Sequence, residues 1–313
     1  MENVKKSLNG YRIDAEFKNV PIAFVNSLRR ILLAEIPTVV LTNIEIVDNT
    51  SSMTHEMVRH RVEQLPINVQ PEETAVIRDT KIEVRFMPSP EPREVTTDDF
   101  VVSGPRKNVL LYDRDLDEPI LFMKLAANES LHIRATLGIA VTGVSQVCVS
   151  TFKNHVDPER AAVDRVLWID NGGDPREYDN HHIQRSYAID ENGRPYWFDF
   201  AVESIGTSRA ADLIKTAVGV LQAKILEFAK VPVMREDTNW YRVEMAGETF
   251  TVGQLVQEIL YKSGLVDFVS RDVGHPLDPV LTVRFNTKLA PESVMDRFKT
   301  EALALCENVL KSV

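Results

Sequence analysis

Cysteine is almost missing from this sequence, with two residues, Cys148 and Cys306, in 313. That excludes a disulfide framework and a cysteine-rich zinc site. Both lie in apolar runs, VSQVCVSTF and ALALCENVL, and are expected to be buried, inert thiols of a reducing compartment. Glycine motifs are missing too. Neither G-x-G-x-x-G nor G-x-x-x-x-G-K-[ST] occurs, nor does a G-x-S-x-G turn around any serine, which removes the phosphate cradle and the nucleophile elbow. No apolar run reaches about 18 residues, so no membrane span is expected. The opening MENVKKSLNG lacks the apolar centre of a signal peptide, and an intracellular, soluble protein is expected. Positive charge is in deficit: 36 Lys and Arg stand against 46 Asp and Glu, a net charge of −10. A surface built to neutralise phosphates needs the opposite balance, so little or no direct contact with nucleic acid is expected.

What is present suits a globular protein, 44% hydrophobic and 26% charged, and the length favours two domains. YRIDAEF (11–17) alternates as a strand does. Asn19 as N-cap and Pro21 in the first turn open a helix that runs to the break at Pro37. VVLTNIEIV (39–47) alternates again. A long middle rich in proline and charge follows, with strand-like runs at 81–86, 108–112, 119–125, 130–141 and 147–152, and a loop, DNGGDPREYDNHH. Residues 196–204 read as a strand and 207–230 as a long helix. The last 74 residues read strand (241–247), helix (251–264, closed by Gly264), strand (266–273), strand (279–287) and helix (291–313, Pro291 in its first turn).

That C-terminal order, strand-helix-strand-strand-helix, is repeated by 11–47 continued through 196–230 if the middle is an insertion. The fold class expected is α+β. Two related dimerisation units form an intrachain pseudo-dimer, the first interrupted by an inserted, mostly β domain. The boundaries expected are 1–50 plus 196–235, then 51–195, then 236–313, with a linker near Lys230 to Trp240. The first helix explains the need for pairing. At 100° per residue Phe24, Leu28, Ile31 and Leu32 make one stripe, and Ile22, Val25, Leu33 and Ile36 widen it to an apolar arc of roughly 200°. A surface helix over a single core needs little more than 100°. Phe24, Leu28, Ile31 and Leu32, with Leu255 and Ile259 on the second unit's helix, are the expected pseudo-dimer contacts. Arg29 falls inside the arc, and a guanidinium there reaches for carbonyls or a carboxylate, or snorkels out of a core helix.

Three constellations suggest chemistry and fail on spacing. THEMVRHRVEQLPI (54–67) approaches the zinc-peptidase H-E-x-x-H, but His55 and His60 are five apart, about 140° around a helix, so one ion cannot be gripped by both. Arg59 and Arg61 flank His60 and disfavour a cation. DRDLDEP (113–119) alternates aspartates like a calcium loop, yet the places that need glycine and glutamate hold Glu118 and Lys124. A solvated turn is the better reading, as it is for Asn180-His181-His182. No catalytic, cofactor-binding or metal residue is assigned.

The run NVPIAFVNSLRRILLAEIPTVVLTNIEIVDNTSSMTHEMVRHRVEQLPI (19–67) resembles the signature of the α-like subunits of multisubunit DNA-dependent RNA polymerases. That family includes the bacterial α subunit, its archaeal D-type counterpart and the third-largest subunit of the eukaryotic enzyme. The matching elements are N-S-L-R-R (26–30), A-E-I-P-T (34–38), N-T (49–50) and E-x-x-x-H-R-x-x-x-L-P (56–66). FAVESIGT (200–207) is similar to the return segment into the same domain. TFTVGQLVQEIL (249–260) and GHPLDPVLTVRFNT (274–287) resemble the small partner, which is the L-type polypeptide in archaea and the eleventh subunit in eukaryotes.

The resemblance implies two partners fused head to tail, an arrangement found among large DNA viruses, so a viral source is expected. The chain would work in the nucleus or cytoplasm of a eukaryotic host or be packaged in a virion. It implies a non-catalytic assembly subunit that binds the second-largest, β-like subunit through Asn26, Arg29 and Arg30, beside the largest subunit and small zinc-binding subunits. Glu56, His60 and Arg61 match the exit from the dimerisation domain. Gly274, His275 and Pro276 match the small partner's turn. Two departures stand out. The inserted domain has one cysteine, Cys148, so neither the zinc site nor the iron–sulfur cluster of some relatives is expected. VSQVCVSTF replaces the family's H-A-x-W-S-P. The alternatives are a metal-dependent hydrolase on His55, Glu56, His60 and His181–His182, and a homo-oligomeric structural protein.

Overall fold

The computed structural model describes residues 1–141, 147–247, 250–275, 277 and 279–313. In chain order the elements are β1 (Glu2–Ser7), β2 (Arg12–Lys18), α1 (Ile22–Ala34), β3 (Thr38–Asn49), α2 (His55–Glu63), α3 (Thr74–Asp79), β4 (Lys81–Phe86), β5 (Arg93–Thr96), β6 (Val101–Ser103) and β7 (Leu121–Leu125). There follow β8 (Leu131–Ala140), β9 (Cys148–Asn154), α4 (Pro158–Asp170), the single turn α5 (Pro175–Glu177), β10 (Trp197–Ser204) and α6 (Ala210–Phe228). The last elements are β11 (Met234–Asp237), β12 (Trp240–Ala246), α7 (Phe250–Ser263), β13 (Phe268–Val273), β14 (Val280–Asn286) and α8 (Pro291–Leu310). The chain divides into two compact units, Met1–Ile31 with Ser150–Val202 and Ile214–Val313, and Leu32–Val149 with Glu203–Leu213.

The first unit holds two four-stranded sheets of one pattern, β1-β2-β10-β9 and β11-β12-β14-β13. Each has an edge strand, the strand that precedes the first helix, the strand that precedes the last helix, and an outer strand. Period-two alternation builds the first sheet: Ile13, Ala15 and Phe17 of β2 and Phe198, Phe200 and Val202 of β10 are buried, while Arg12, Asp14, Glu16, Trp197 and Asp199 alternate with them and so fall on the other face. Phe17 stands edge-on to Phe200 (5.3 Å) and to Phe24 of α1 (6.2 Å). In the second sheet Val243 pairs with Val283 and Met245 with Leu281. α7 approaches so closely that a Cβ on Gly253 would lie 2.5 Å from Leu281 Cδ1. Gly264 is in the left-handed region (φ 66°) directly after α7 and ends it, as expected.

One strand assignment is overturned. The place of β13 in the first sheet is taken by β9, not by the 39–47 run. That run lies in β3, which pairs with β8 from Thr38 to Asn49. Alternation tells that one face of a strand is buried but not which strand lies beside it, and Val39, Leu41 and Ile44 complete the core of the second unit instead.

That second unit contains the sheet β3-β8-β4-β6 and the pair β5-β7. Its core joins Val58 and Val62 of α2 to Val84, Val95, Phe122, Leu131 and Ile133, with Phe100 edge-on to Phe122 at 5.4 Å. The run 108–112 does not form a strand; it makes isolated bridges, Ile67 to Leu110 and Tyr112 to Pro119. No element was expected between β9 and the DNGGDPREYDNHH run, yet there Asp157 accepts from the amides of Glu159 and Arg160 and starts α4. Inside the run expected to be loop, Asp174 accepts from the Arg176 amide and starts α5. No helix among the described residues is long and apolar enough to cross a membrane.

Candidate assembly interface

α1 and α7 cross within the first unit, and their contacts come from one stripe on each. The Ala23 amide donates to Glu258 Oε2 at 2.8 Å. Seven residues further along α1, Arg30 Nε donates to Thr251 Oγ1 at 2.9 Å, seven residues back along α7. The helices are therefore antiparallel at the contact. Between these two bonds Ser27, 2% exposed, donates to the Ala23 carbonyl (2.7 Å) and the Thr251 carbonyl (3.3 Å). Every side chain in this stripe is small or polar and satisfied, as burial demands.

The Ala23 bond has a specific physical role. The first amides of a helix lack intrahelical partners and carry the positive end of its dipole. Here a carboxylate of α7, itself paired with Lys262 at 3.1 Å, serves the second residue of α1. Asn19, expected as the N-cap, is instead a left-handed turn residue (φ 57°) whose amide bonds Tyr196 O at 2.8 Å. A cap needs extended backbone, so Asn19 cannot fill the role and Glu258 supplies the acceptor.

A second pair of helices also meets, through an aromatic contact, with Phe228 of α6 edge-on to Phe298 of α8 at 5.9 Å. α7 is the counterpart of α1 in the repeat and α8 the counterpart of α6. Each helix thus meets its own equivalent, which is the signature of an isologous two-fold interface. Superposing the apolar patterns places Phe24, Leu28, Ile31 and Leu32 on Val252, Val256, Ile259 and Leu260, all buried. Ala23 and Arg30 then correspond to Thr251 and Glu258, so the two hydrogen bonds are symmetry mates.

The residues singled out in the sequence are distributed as follows. Phe24, Leu28, Ile31 and Leu32 are buried, and Phe24 lies on Phe17 of its own sheet. The contacts that reach α7 come from Ala23, Ser27 and Arg30, a stripe on the narrower, less apolar face of the helix. On α7, Leu255 is within about 40° of Thr251 around the helix, whereas Ile259 corresponds to Ile31. Asn26 and Arg29 form a half-buried pair, with Arg29 Nε and Nη2 donating to Asn26 Oδ1 at 3.2 and 2.9 Å. Arg29 thus spends two of its five N–H donors on a neighbour one turn back and not on a carboxylate. Arg30 points elsewhere, to Thr251.

In the second unit, His55, Glu56 and His60 are exposed on α2, and Thr54 caps that helix from Met57 N at 3.4 Å. Arg61 reaches the Phe122 carbonyl and lies over its ring. Asp113 forms the turn expected of DRDLDEP, accepting from the Asp115 and Leu116 amides, each at 2.9 Å. In the first unit, His181 is exposed and His182 packs on Trp168 at 4.2 Å. His275, in the β13–β14 connection, is exposed and its Nδ1 accepts from Leu277 N at 3.2 Å. Pro276 lies outside the described residues. Cys148 and Cys306 are buried, and burial pushes both thiols up to about 12.

Fold and interface define a two-fold dimerisation scaffold carried on one chain. Residues 15–225 match the model of the RNA polymerase Rpb3/Rpb11 dimerisation domain, and residues 241–312 match a second model of the same description. This chain belongs to that family. It is 25% identical to the DNA-directed RNA polymerase II subunit RPB3 of Schizosaccharomyces pombe, over 70% of this chain and 83% of that protein. It is 40% identical to the DNA-directed RNA polymerase subunit Rpo3 of Pyrobaculum aerophilum over 57 residues, 18% of this chain and 22% of that one. A conjugation stage-specific protein of Tetrahymena thermophila is 39% identical over 71 residues, 22% of this chain and 23% of that protein. In these last two relatives the match spans under a quarter of their length.

Proposed function

We propose that this chain is a non-catalytic assembly subunit of a DNA-directed RNA polymerase, with both members of the dimerisation pair fused in one polypeptide. The observation that carries the reading is the isologous meeting of α1 with α7 and of α6 with α8 inside one unit. Fusion makes that pairing intramolecular, so the scaffold is complete at any concentration of the chain. The second-largest, β-like subunit binds the Asn26–Arg29 pair on α1, beside the largest subunit and small zinc-binding subunits. Arg30 is shared with the internal interface. The source is a large DNA virus and the working place the host cell's interior.

The experiment is purification of a tagged copy from cells that produce the whole polymerase, with mass spectrometry of what accompanies it. The wild-type chain should bring down the second-largest subunit. Arg29→Glu should fold, as judged by its circular dichroism, and lose that partner. Undiminished recovery of the partner with Arg29→Glu would sink the assignment of this face, and absence of any polymerase subunit with the wild-type chain would sink the function.

A further inference from the structure

The solvent side of the first sheet carries a group of side chains that dimerisation does not use. Glu16 of β2, Asp199 of β10 and His155, one residue beyond β9, each place a ligand atom within 4.8 Å of the other two. It is the one such group of three among the described residues. We propose that Glu16, His155 and Asp199 form a binding site for a divalent transition metal of the zinc class.

The ligand set fits such an ion: one imidazole and two carboxylates give the mixed N/O environment that zinc accepts. His155 Nδ1 already lies 2.6 Å from Asp199 Oδ1. Ligands about 2.0–2.2 Å from a tetrahedral ion stand roughly 3.4 Å apart. Binding therefore requires this pair to widen by about 0.8 Å and Glu16 to close in from within 4.8 Å.

Neighbours hold the ligands in orientation, as the surroundings of metal sites do. Trp197 stacks on the His155 ring at 3.9 Å and 16°. Its indole N–H donates to Glu16 Oε2 at 3.0 Å, which leaves Oε1 for the ion. The His155 amide bonds Trp197 O at 2.9 Å, so the ligand beyond the strand end is still tied to the sheet. The opposing charges are loosely placed. Lys153 is 3.8 Å from Asp199 Oδ2 with 59% of its side chain exposed, free to swing away, and Lys18 lies over the Trp197 ring at 4.1 Å. Glu16, His155 and Asp199 are half-buried, and a zinc-class ion with three protein ligands takes water or a partner's side chain as its fourth.

The test uses the full chain, stripped with EDTA and dialysed, and titrated with Zn²⁺ by calorimetry and with Co²⁺ by visible absorption. One equivalent of each ion should bind. His155→Ala and Asp199→Asn should each weaken binding at least tenfold, the loss typical even of outlying contacts at metal sites. Glu16→Gln, which keeps an acceptor for Trp197, should do the same without disturbing the sheet. The His181→Ala, His182→Ala double variant should bind as the wild type does. Absence of a stoichiometric Zn²⁺ isotherm overturns the site. So does a Co²⁺ spectrum that survives His155→Ala and Glu16→Gln, since the ion is then held adventitiously elsewhere.

Discussion

Replacing Glu258 by alanine isolates one of the contacts that tie the two halves of the repeat together. Glu258 Oε2 accepts from Ala23 N at 2.8 Å, and the side chain is 18% exposed. Hydrogen bonds to a charged group contribute about 1.5–3 kcal/mol, and a carboxylate at a helix N-terminus about 0.3–1 kcal/mol. The two overlap, and the residual exposure lets water serve the freed amide, so a loss of about 1.5 kcal/mol is expected. The i,i+4 pair with Lys262 is worth no more than about 0.5 kcal/mol, and Lys262→Ala measures it separately. Glu258→Gln keeps an acceptor without the charge and should lose about half as much as alanine. All three tryptophans, Trp168, Trp197 and Trp240, belong to the unit that contains this contact, so tryptophan fluorescence during urea unfolding follows it. With a slope of about 2 kcal/mol per molar urea, the midpoint should fall by roughly 0.5–1 M. If Glu258→Ala is no less stable than Lys262→Ala, Glu258 does not cap α1 and the symmetric description of the interface is wrong.

Gly253→Ala should destabilise the same unit by about 1–3 kcal/mol through overpacking, because its new methyl would lie 2.5 Å from Leu281 Cδ1; thermal unfolding followed by circular dichroism measures it. A double-mutant cycle of Arg30→Ala with Thr251→Val should give a coupling of at least about 0.5 kcal/mol, and a value of zero would show that their 2.9 Å bond adds nothing in solution. Cys148 and Cys306 should resist a thiol reagent at pH 8 in the native chain and react at once in guanidinium. Burial pushes both thiols up to about 12. Their contribution to stability is therefore fully present below the ordinary thiol value near 8.5 and is lost as pH rises from there towards 12. Urea midpoints between pH 8 and 10.5 should fall accordingly, and less so in a Cys148→Ala, Cys306→Ala variant.

Periodicity located most elements of the first unit because each has one buried face. β2, β10, β12, β14, α6, α7 and α8 all lie within three residues of where alternation or helical spacing sets them. It could not choose neighbours. β3 and β9 alternate equally well, and only long-range pairing decides that β9 completes the first sheet while β3 joins β8. α4 was hidden for a different reason. Its outward face carries Val163, Val166 and Leu167, each more than half exposed, which blurs the amphipathic contrast. Asp157-Pro158-Glu159 was the signal present, an N-cap followed by first-turn proline and an acidic residue.

The interface shows the same limit from the other side. The 200° apolar arc marked α1 as a helix buried on most sides, but the contacts to α7 come from outside it, because apolarity marks burial and not the partner. Phe24 serves its own sheet, and the crossing itself uses alanine, serine and an arginine's edge. Two helices that cross closely need small residues where their axes approach, so the contact stripe is the least hydrophobic part of the buried surface. That makes Ala23, Ser27 and Thr251 hard to pick out in one sequence and easy once the repeat is aligned, since Ala23 and Arg30 bond the counterparts of Arg30 and Ala23. Glu16, His155 and Asp199 were further out of reach. Glu16 and Asp199 stand on two strands and His155 just beyond a third, with more than a hundred residues between Glu16 and His155, so neighbouring histidines are a signal on the wrong scale. Sheet topology, not spacing along the chain, brings them together.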